Sequence, residues 1–483
     1  MYRRIRAGLV VLLATGSLAI AGCGGPEYGS TDETSTAGAT VERDWDYEIA
    51  YQRGIEAVNW ATPAVSMVRY REAHFGLGGG LNTVYYLSQP PTPVTDALTA
   101  NNQTPYSTVL MSTRDGPVVL DIPPASDRAA IFGSAVDIWQ VPVADFGPAG
   151  TDQGMGGRYL FLPPGYDDPV PEDYFVVPMD TYNVLVALRL IPLGGAGFEE
   201  TAEYAMNIRA YPLSEADSPP AGEYIDIAGK RVPTLVVYDV SLYEDIVTVL
   251  DEEPLLERDK VMGGMLASIG IERGKAFDPQ GTTRDALEQA VHDAKEYLDF
   301  LFDTPGYAFE NRWPDRQWMD IRLPSEDGFV FDEGDYLLLD ARAAVFHFAT
   351  FAPRRLGSAT ANIVATRDSG GALFSGDGSY SLTVPADVPA RDFWSVIAYS
   401  FDTKAFIYND LDRVGFSSYD MSSMAVNEDG SVDLHFGATP PEGLESNWIP
   451  TAGEDFFIMF RFYGPQDAFF DKSWVLADVV RND

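Results

Sequence analysis

The chain has 483 residues and a formal net charge of -39, with 72 Asp plus Glu against 33 Lys plus Arg. A surface of that sign repels phosphate backbones and anionic headgroups, which argues against nucleic acid as a partner and against membrane binding through surface charge. At 46% hydrophobic and 12% aromatic residues the chain is too apolar to be disordered and too long for one core, so two or three domains are expected.

Arg3, Arg4 and Arg6 precede an apolar run, Ala7 to Ile20, that is too short to cross a bilayer comfortably. Ile20-Ala21-Gly22-Cys23 follows, and the whole stretch resembles a bacterial lipoprotein signal with its lipobox. The expectation is a signal peptide over 1–22, acylation of Cys23, and an exported protein held on the bacterial cell membrane by that lipid alone. Cys23 is the single cysteine, which excludes intramolecular disulfides, a cysteine-rich zinc site and a Cys nucleophile in the folded body. Residues 23–44 are rich in Gly, Ser, Thr and acid and read as a flexible tether.

From Trp45 the spacing of Tyr47, Tyr51, Val58, Ala61, Val65 and Val68 predicts a helix with one apolar face, kinked or divided at Pro63. Between Phe75 and Pro192 short runs rich in β-formers, punctuated by Gly and Pro, predict an antiparallel sandwich or barrel. Gly78, Gly79 and Gly80 lack the strand-to-helix context of a dinucleotide loop and read as a flexible turn. Helices are expected from Ser241 to Ile271 and from Thr283 to Asp303, the second with Leu287, Val291, Ala294, Leu298 and Leu301 on one stripe. A further apolar element covers Tyr336 to Ala352, and a dense aromatic sheet follows from Tyr380 to Leu476. In it Ile458, Phe460 and Phe462 alternate with Phe457, Met459 and Tyr463, which marks a central strand, and Arg461 interrupts the second face. A buried Arg asks for a carboxylate, so Arg461 is expected in a structural ion pair, with a site role as the alternative.

No nucleophile elbow, zinc helix, phosphate loop or EF-hand loop is present. His347 reads as a satisfied core histidine, His292 and His435 as exposed, and His74 as free to reach a cleft; no metal site and no cofactor are expected. Asp137 lies between apolar residues and must be hydrogen-bonded, paired or functionally perturbed. Asp180 and Asp340 raise the same question, Arg342 being the expected partner of Asp340. The polar block Asn101 to Ser107 precedes a strong strand and is a candidate site lip.

These residues resemble a bacterial two-domain family: an N-terminal domain of unknown function numbered 1254 and a C-terminal domain of unknown function numbered 1214. Asn101, Thr104, Tyr106, Ser107, Gly116 to Pro123, Asp137 and Trp139 carry the first likeness, with Gln103 replacing the family's acid and Arg189 following the closing TYNV. The second rests on GSYSLTVPADVPARDFWSVIAY, Asn409 to Arg413, NEDGSVDLHFG, ESNWIP, RFYGP and DKSW in order. The resemblance implies two β-sandwich or jelly-roll-like domains with a helical segment, in proteins that are often exported and oligomeric, and it transfers no catalytic residue.

The expected fold is mainly β with α: an N-terminal domain over 45–195, a connection and helical segment over 196–329 and a C-terminal domain over 330–483, the helices joining and flanking two antiparallel sandwiches. The expected function is binding of a small molecule, glycan or envelope partner in an interdomain cleft lined by Asn102, Thr104, Tyr106, Asp137, Trp139, Arg413 and Trp448. The alternative is a metal-independent hydrolase working through paired carboxylates. A homo-oligomer is the further expected assembly.

Overall fold

Helix formation at Trp45 is set by Asp44, whose Oδ1 accepts hydrogen bonds from the backbone N–H groups of Asp46 (3.1 Å) and Tyr47 (3.2 Å), with Asp46 and Glu48 placed against the positive end of the helix dipole. The computed structural model describes residues 43–148, 150–321, 331–350 and 360–483; the expected signal peptide, Cys23 and nearly all of the expected tether lie outside them. The first helix runs unbroken from Trp45 to Phe75 with Pro63 inside it. A mid-helix proline costs about 3 kcal/mol by removing one hydrogen bond and crowding the preceding turn. Packing offsets this, because every residue from Ala57 to Val68 is buried. The expectation of a division at Pro63 and of a single apolar face is therefore corrected: this helix is buried all round in its middle, as in the centre of a large core.

Around it lie four further helices, Ser241–Glu252, Lys260–Ala267, Gly281–Asp303 and Leu339–Phe348. The predicted stripe Leu287, Val291, Ala294, Leu298 and Leu301 is buried in the same core as the first helix. Gly54 allows the closest approach, since a Cβ there would come within 2.7 Å of the Ala290 Cβ.

Two six-stranded sheets sandwich this helical core. The N-terminal one runs in the order Tyr224–Asp226, Val84–Tyr86, Tyr106–Ser112, Asn183–Pro192, Ala129–Asp137, Pro142–Phe146. The C-terminal one runs Phe309–Asn311, Met319–Ile321, Thr360–Ala365, Phe456–Pro465, Ala390–Ser400, Gly415–Ser417. Each is backed by a four-stranded sheet, and strand alternation sorts the side chains. Val109, Met111, Val186 and Leu188 point into the N-terminal sandwich core, while Leu110 and Leu185 meet the helices. In the C-terminal sheet Val396, Ile458, Phe460 and Phe462 fill the sandwich, while Ile397, Tyr399, Phe457 and Met459 face the helices.

The architecture is thus mixed, mainly β with α and no closed barrel. The helices form a middle layer between the two sandwiches, and residues Asp44–Asp483 make one compact unit. The connection contributes strands as well as helices: Arg209–Pro212 and Tyr224–Asp226 join the N-terminal sheets, and Phe309–Asn311 and Met319–Ile321 join the C-terminal one.

Candidate functional site

Where the helical layer leaves the facing sheets uncovered there is a cavity of about 560 Å³. The wall from the N-terminal sheet is set by alternation, with Tyr106 and Thr108 on one strand, Ala187 and Arg189 on the next and Ser134 on the third. The opposite wall carries Met459 and Arg461 with Asn362, which is the cross-strand partner of Arg461. Tyr70 and His74 enter from the last turns of the first helix, and Leu87, Ile227, Val232, Val345, Phe346 and Phe348 give the body of the space an apolar lining.

A cluster of two guanidinium groups and three phenols occupies one part of the wall. Arg189 Nη2 donates to Tyr106 Oη at 2.7 Å, and Asn101 Nδ2 donates to Tyr106 Oη at 3.2 Å and to Tyr463 Oη at 2.7 Å. Arg461 Nη2 donates to the Thr99 carbonyl at 2.7 Å and to Tyr399 Oη at 2.8 Å, and Tyr399 Oη donates in turn to the Ala100 carbonyl. Arg189 also lies over the rings of Tyr106 and Tyr463, 5.3 and 5.5 Å from their centroids. Neither guanidinium forms an ion pair with a carboxylate of the described residues, and the Nε atoms of both are buried without a protein partner there.

Burial alone would push the Tyr106 phenol up, but Arg189, Arg461 and the Asn101 hydrogen bond outweigh it and hold the group below its ordinary value. Burial by itself would push the Arg461 guanidinium down, but the phenols of Tyr399, Tyr463 and Tyr106 hold it up instead. The expected carboxylate partner of Arg461 is therefore corrected to a backbone carbonyl and a phenol. His74 is buried, and burial pushes its imidazole down to about 4, against the pull of the Tyr70 carbonyl bound to Nδ1 at 2.8 Å. With Nδ1–H donating to that carbonyl, Nε2 of the neutral ring is an acceptor, and it has no protein partner among the described residues.

The rim carries exposed Glu310, Phe470 and Lys472. Beside them Asp320 bridges Arg312 at 2.7 Å and Lys472 at 3.2 Å, so charge at this end is mutually satisfied. Among the described residues no group of three or more His, Cys, Asp or Glu side chains is placed to hold a metal ion.

Of the residues singled out in the sequence, Tyr106 lines this cavity and its neighbour Asn101 does too. Asn102 accepts a hydrogen bond from Gln103 beside it, and Thr104 is buried nearby with no partner for its hydroxyl among the described residues. Asp137 and Trp139 lie elsewhere, against the first helix: Asp137 Oδ1 accepts from the backbone N–H groups of Trp139 (2.9 Å) and Val141 (2.8 Å), and the Trp139 ring packs on Trp60 and under Arg342. Arg413 donates to the carbonyls of Glu445 and Trp448, which joins two loops of the C-terminal sandwich away from the cavity wall. Asp180 is exposed. Asp340 accepts from Asn59 at 2.7 Å and Arg342 donates to the Trp60 carbonyl at 2.6 Å, so the expected Asp340–Arg342 pair does not form. His347 is satisfied by Tyr238 and Asp299, as a core histidine.

Sequence reasoning missed Arg189, Tyr399 and Tyr463 as a group. The available signal was the alternation itself, which puts a lone cation on the non-sandwich face of an otherwise apolar central strand in both sheets.

Residues 81–212 match the family described as a protein of unknown function, DUF1254, and residues 359–467 match the one described as a protein of unknown function, DUF1214. No curated protein gives a significant sequence match. Among solved structures the chain is similar to the VPA0106 protein from Vibrio parahaemolyticus, at 18% identity and a TM-score of 0.53 over 91% of this chain and 100% of that one. It is also similar to an uncharacterized protein from Burkholderia cenocepacia, at 13% identity and a TM-score of 0.40 over 90% of this chain and 95% of that one. The first likeness supports the fold.

Proposed function

We propose that this chain, in which a DUF1254 domain is followed by a DUF1214 domain, is a cell-envelope binding protein that takes a small molecule into the space between its two sandwiches. The observation that carries this reading is the cavity of about 560 Å³, whose size and apolar lining with a few convergent polar groups are those of small-molecule sites. The largely apolar lining favours a compact ligand with a mainly apolar body over a glycan, which would need polar partners along its length. Hydrolysis by paired carboxylates centred on Asp137 draws no support from the geometry, because that carboxylate is occupied by backbone N–H groups.

The reading is tested with the neutral fluorescent probe N-phenyl-1-naphthylamine and the variant Ala187→Phe, which places a ring in the cavity without touching the sandwich core on the other face of the strand. One probe should bind per wild-type chain with an emission rise, and the variant should lose at least about tenfold in affinity while keeping its thermal midpoint within a few degrees. Equal binding by both proteins, or none by either, would contradict it.

The lipid anchor belongs to the same proposal. A clickable palmitate analogue supplied to a bacterial expression host should label the protein, and Cys23→Ala should abolish the label; labelling that survives the substitution would remove the anchor from the account.

A further inference from the structure

We infer that the molecule taken into the cavity carries an oxyanion head, a carboxylate or a phosphate, seated against Arg189 and Arg461, with an apolar body lying along Leu87, Ile227, Val345 and Met459. This rests on the cavity being a ligand site, and it adds the chemical class of the ligand.

Charge balance is the first support. Removing a guanidinium from water without an anionic partner costs several kcal/mol. Of the other buried arginines, Arg312 meets that cost by pairing with Asp320 at 2.7 Å, while Arg342 donates to a backbone carbonyl and is held down by burial and by Arg258. Arg461 is 7% exposed and its hydrogen-bond partners are a carbonyl and a phenol, with no carboxylate among the described residues paired to it. Arg189 adds a second cation to the same wall with Tyr106 as its hydrogen-bonding partner.

Donor geometry is the second. Each guanidinium has five N–H bonds in a planar fork suited to two oxygens of one oxyanion. Arg189 uses Nη2 on a phenol, and Arg461 uses Nη2 on a carbonyl and a phenol. The Nε atoms of both are buried donors without partners among the described residues. Phenols, Asn101 and the Thr99 carbonyl hold the two cations in position, which is the arrangement of a prebuilt anion seat and not of a mobile surface pair.

A third support is the contrast along the cavity. Its apolar residues supply no partner for a multiply charged or sugar-like molecule, while the acidic residues on its wall sit at the exposed rim, where Asp320 is already neutralised by Arg312 and Lys472.

The test displaces bound N-phenyl-1-naphthylamine with decanoate, decyl phosphate or decanol at pH 7.5. Wild-type protein should take one of the two acids at least about tenfold more tightly than the alcohol, and the tighter acid identifies the head. Arg189→Gln, whose side chain gives up one hydrogen bond, and Arg461→Gln should each erase that preference, so that acid and alcohol displace the probe alike. The wild-type comparison stands without either variant. Displacement by decanol as tightly as by both acids would overturn the anion seat and leave the cavity reading intact. A probe that does not bind, or that none of the three displaces, would overturn the cavity reading and this inference with it.

Discussion

Asp137 and Arg461 are both ionisable groups on apolar strands, and the structure resolves them in opposite ways. The Asp137 carboxylate is buried, which pushes it up to about 6, and the N–H groups of Val141 and Trp139 oppose the shift without cancelling it. A carboxyl that is raised in the fold binds its proton more tightly there than in the unfolded chain, so its contribution to stability falls as pH rises from about 4 to about 6. Asp137→Asn keeps an acceptor for both N–H groups and removes the buried charge. Its stability relative to wild type, followed by denaturant titration, should therefore improve by ~1–3 kcal/mol between pH 4 and pH 7.5. Asp137→Ala removes the acceptor and should destabilise by ~1–3 kcal/mol at either pH. A difference between wild type and Asp137→Asn that does not change with pH would refute this assignment. What the sequence made legible here was that Asp137 needed an explanation. Whether backbone, ion pair or ligand supplied it depended on the turn at Trp139 and Val141, which strand patterning does not specify. Arg461 was legible in the same limited way, because its hydrogen-bond partners, the Tyr399 phenol and the Thr99 carbonyl, come from a neighbouring strand and from a loop near the start of the chain.

The first helix governs packing at the scale of elements. Its expected apolar stripe was real but incomplete, because a helix enclosed by other helices and two sheets buries every face, and periodicity then fades. Pro63 was misleading for the same reason: a local rule was outweighed by burial of twelve consecutive residues, Ala57 to Val68. The Gly281–Asp303 helix was easier to read, since its other side faces solvent at His292 and the stripe stays clean. Gly54 joins the two helices. Ala at an interior helical position normally gains about 1 kcal/mol over Gly. At this position its Cβ would meet Ala290 Cβ at 2.7 Å, the Tyr243 hydroxyl at 2.8 Å and Leu287 Cδ2 at 3.0 Å. Gly54→Ala should therefore lower stability by ~1–3 kcal/mol in a denaturant titration; a stabilised variant would mean that the helices separate without cost.

At the scale of the molecule, the helical layer is bound to the C-terminal sandwich by a buried polar network. Asp299 on the Gly281–Asp303 helix accepts from His347 Nε2 at 2.8 Å on the neighbouring helix and from Lys404 Nζ at 2.6 Å in the turn that follows the Ala390–Ser400 strand. Burial raises the Asp299 carboxyl, but His347 and Lys404 more than reverse this and hold it well below the carboxylate range. The Lys404 side chain is 1% exposed, so the pair has little access to water. Lys404→Met should cost on the order of 3 kcal/mol by leaving Asp299 undercompensated. A loss below about 1 kcal/mol would mean that Lys295, 3.0 Å from Asp299, carries the charge balance by itself. The two β-rich blocks and the helices between them were readable from strand punctuation and helical stripes. Their stacking was not, because it depends on which face of each sheet meets the helices, and both faces of the central strands are apolar.

That stacking creates the cavity, and the most direct test of its role is a crystal structure of the protein grown with whichever of decanoate and decyl phosphate displaces the probe more tightly. The account predicts one molecule between the sheets, its head-group oxygens within hydrogen-bond distance of Arg189 and Arg461 and its chain against Met459 and Val345. A cavity that stays empty at saturating concentration of that acid, or a molecule bound only on the outer surface, would contradict it.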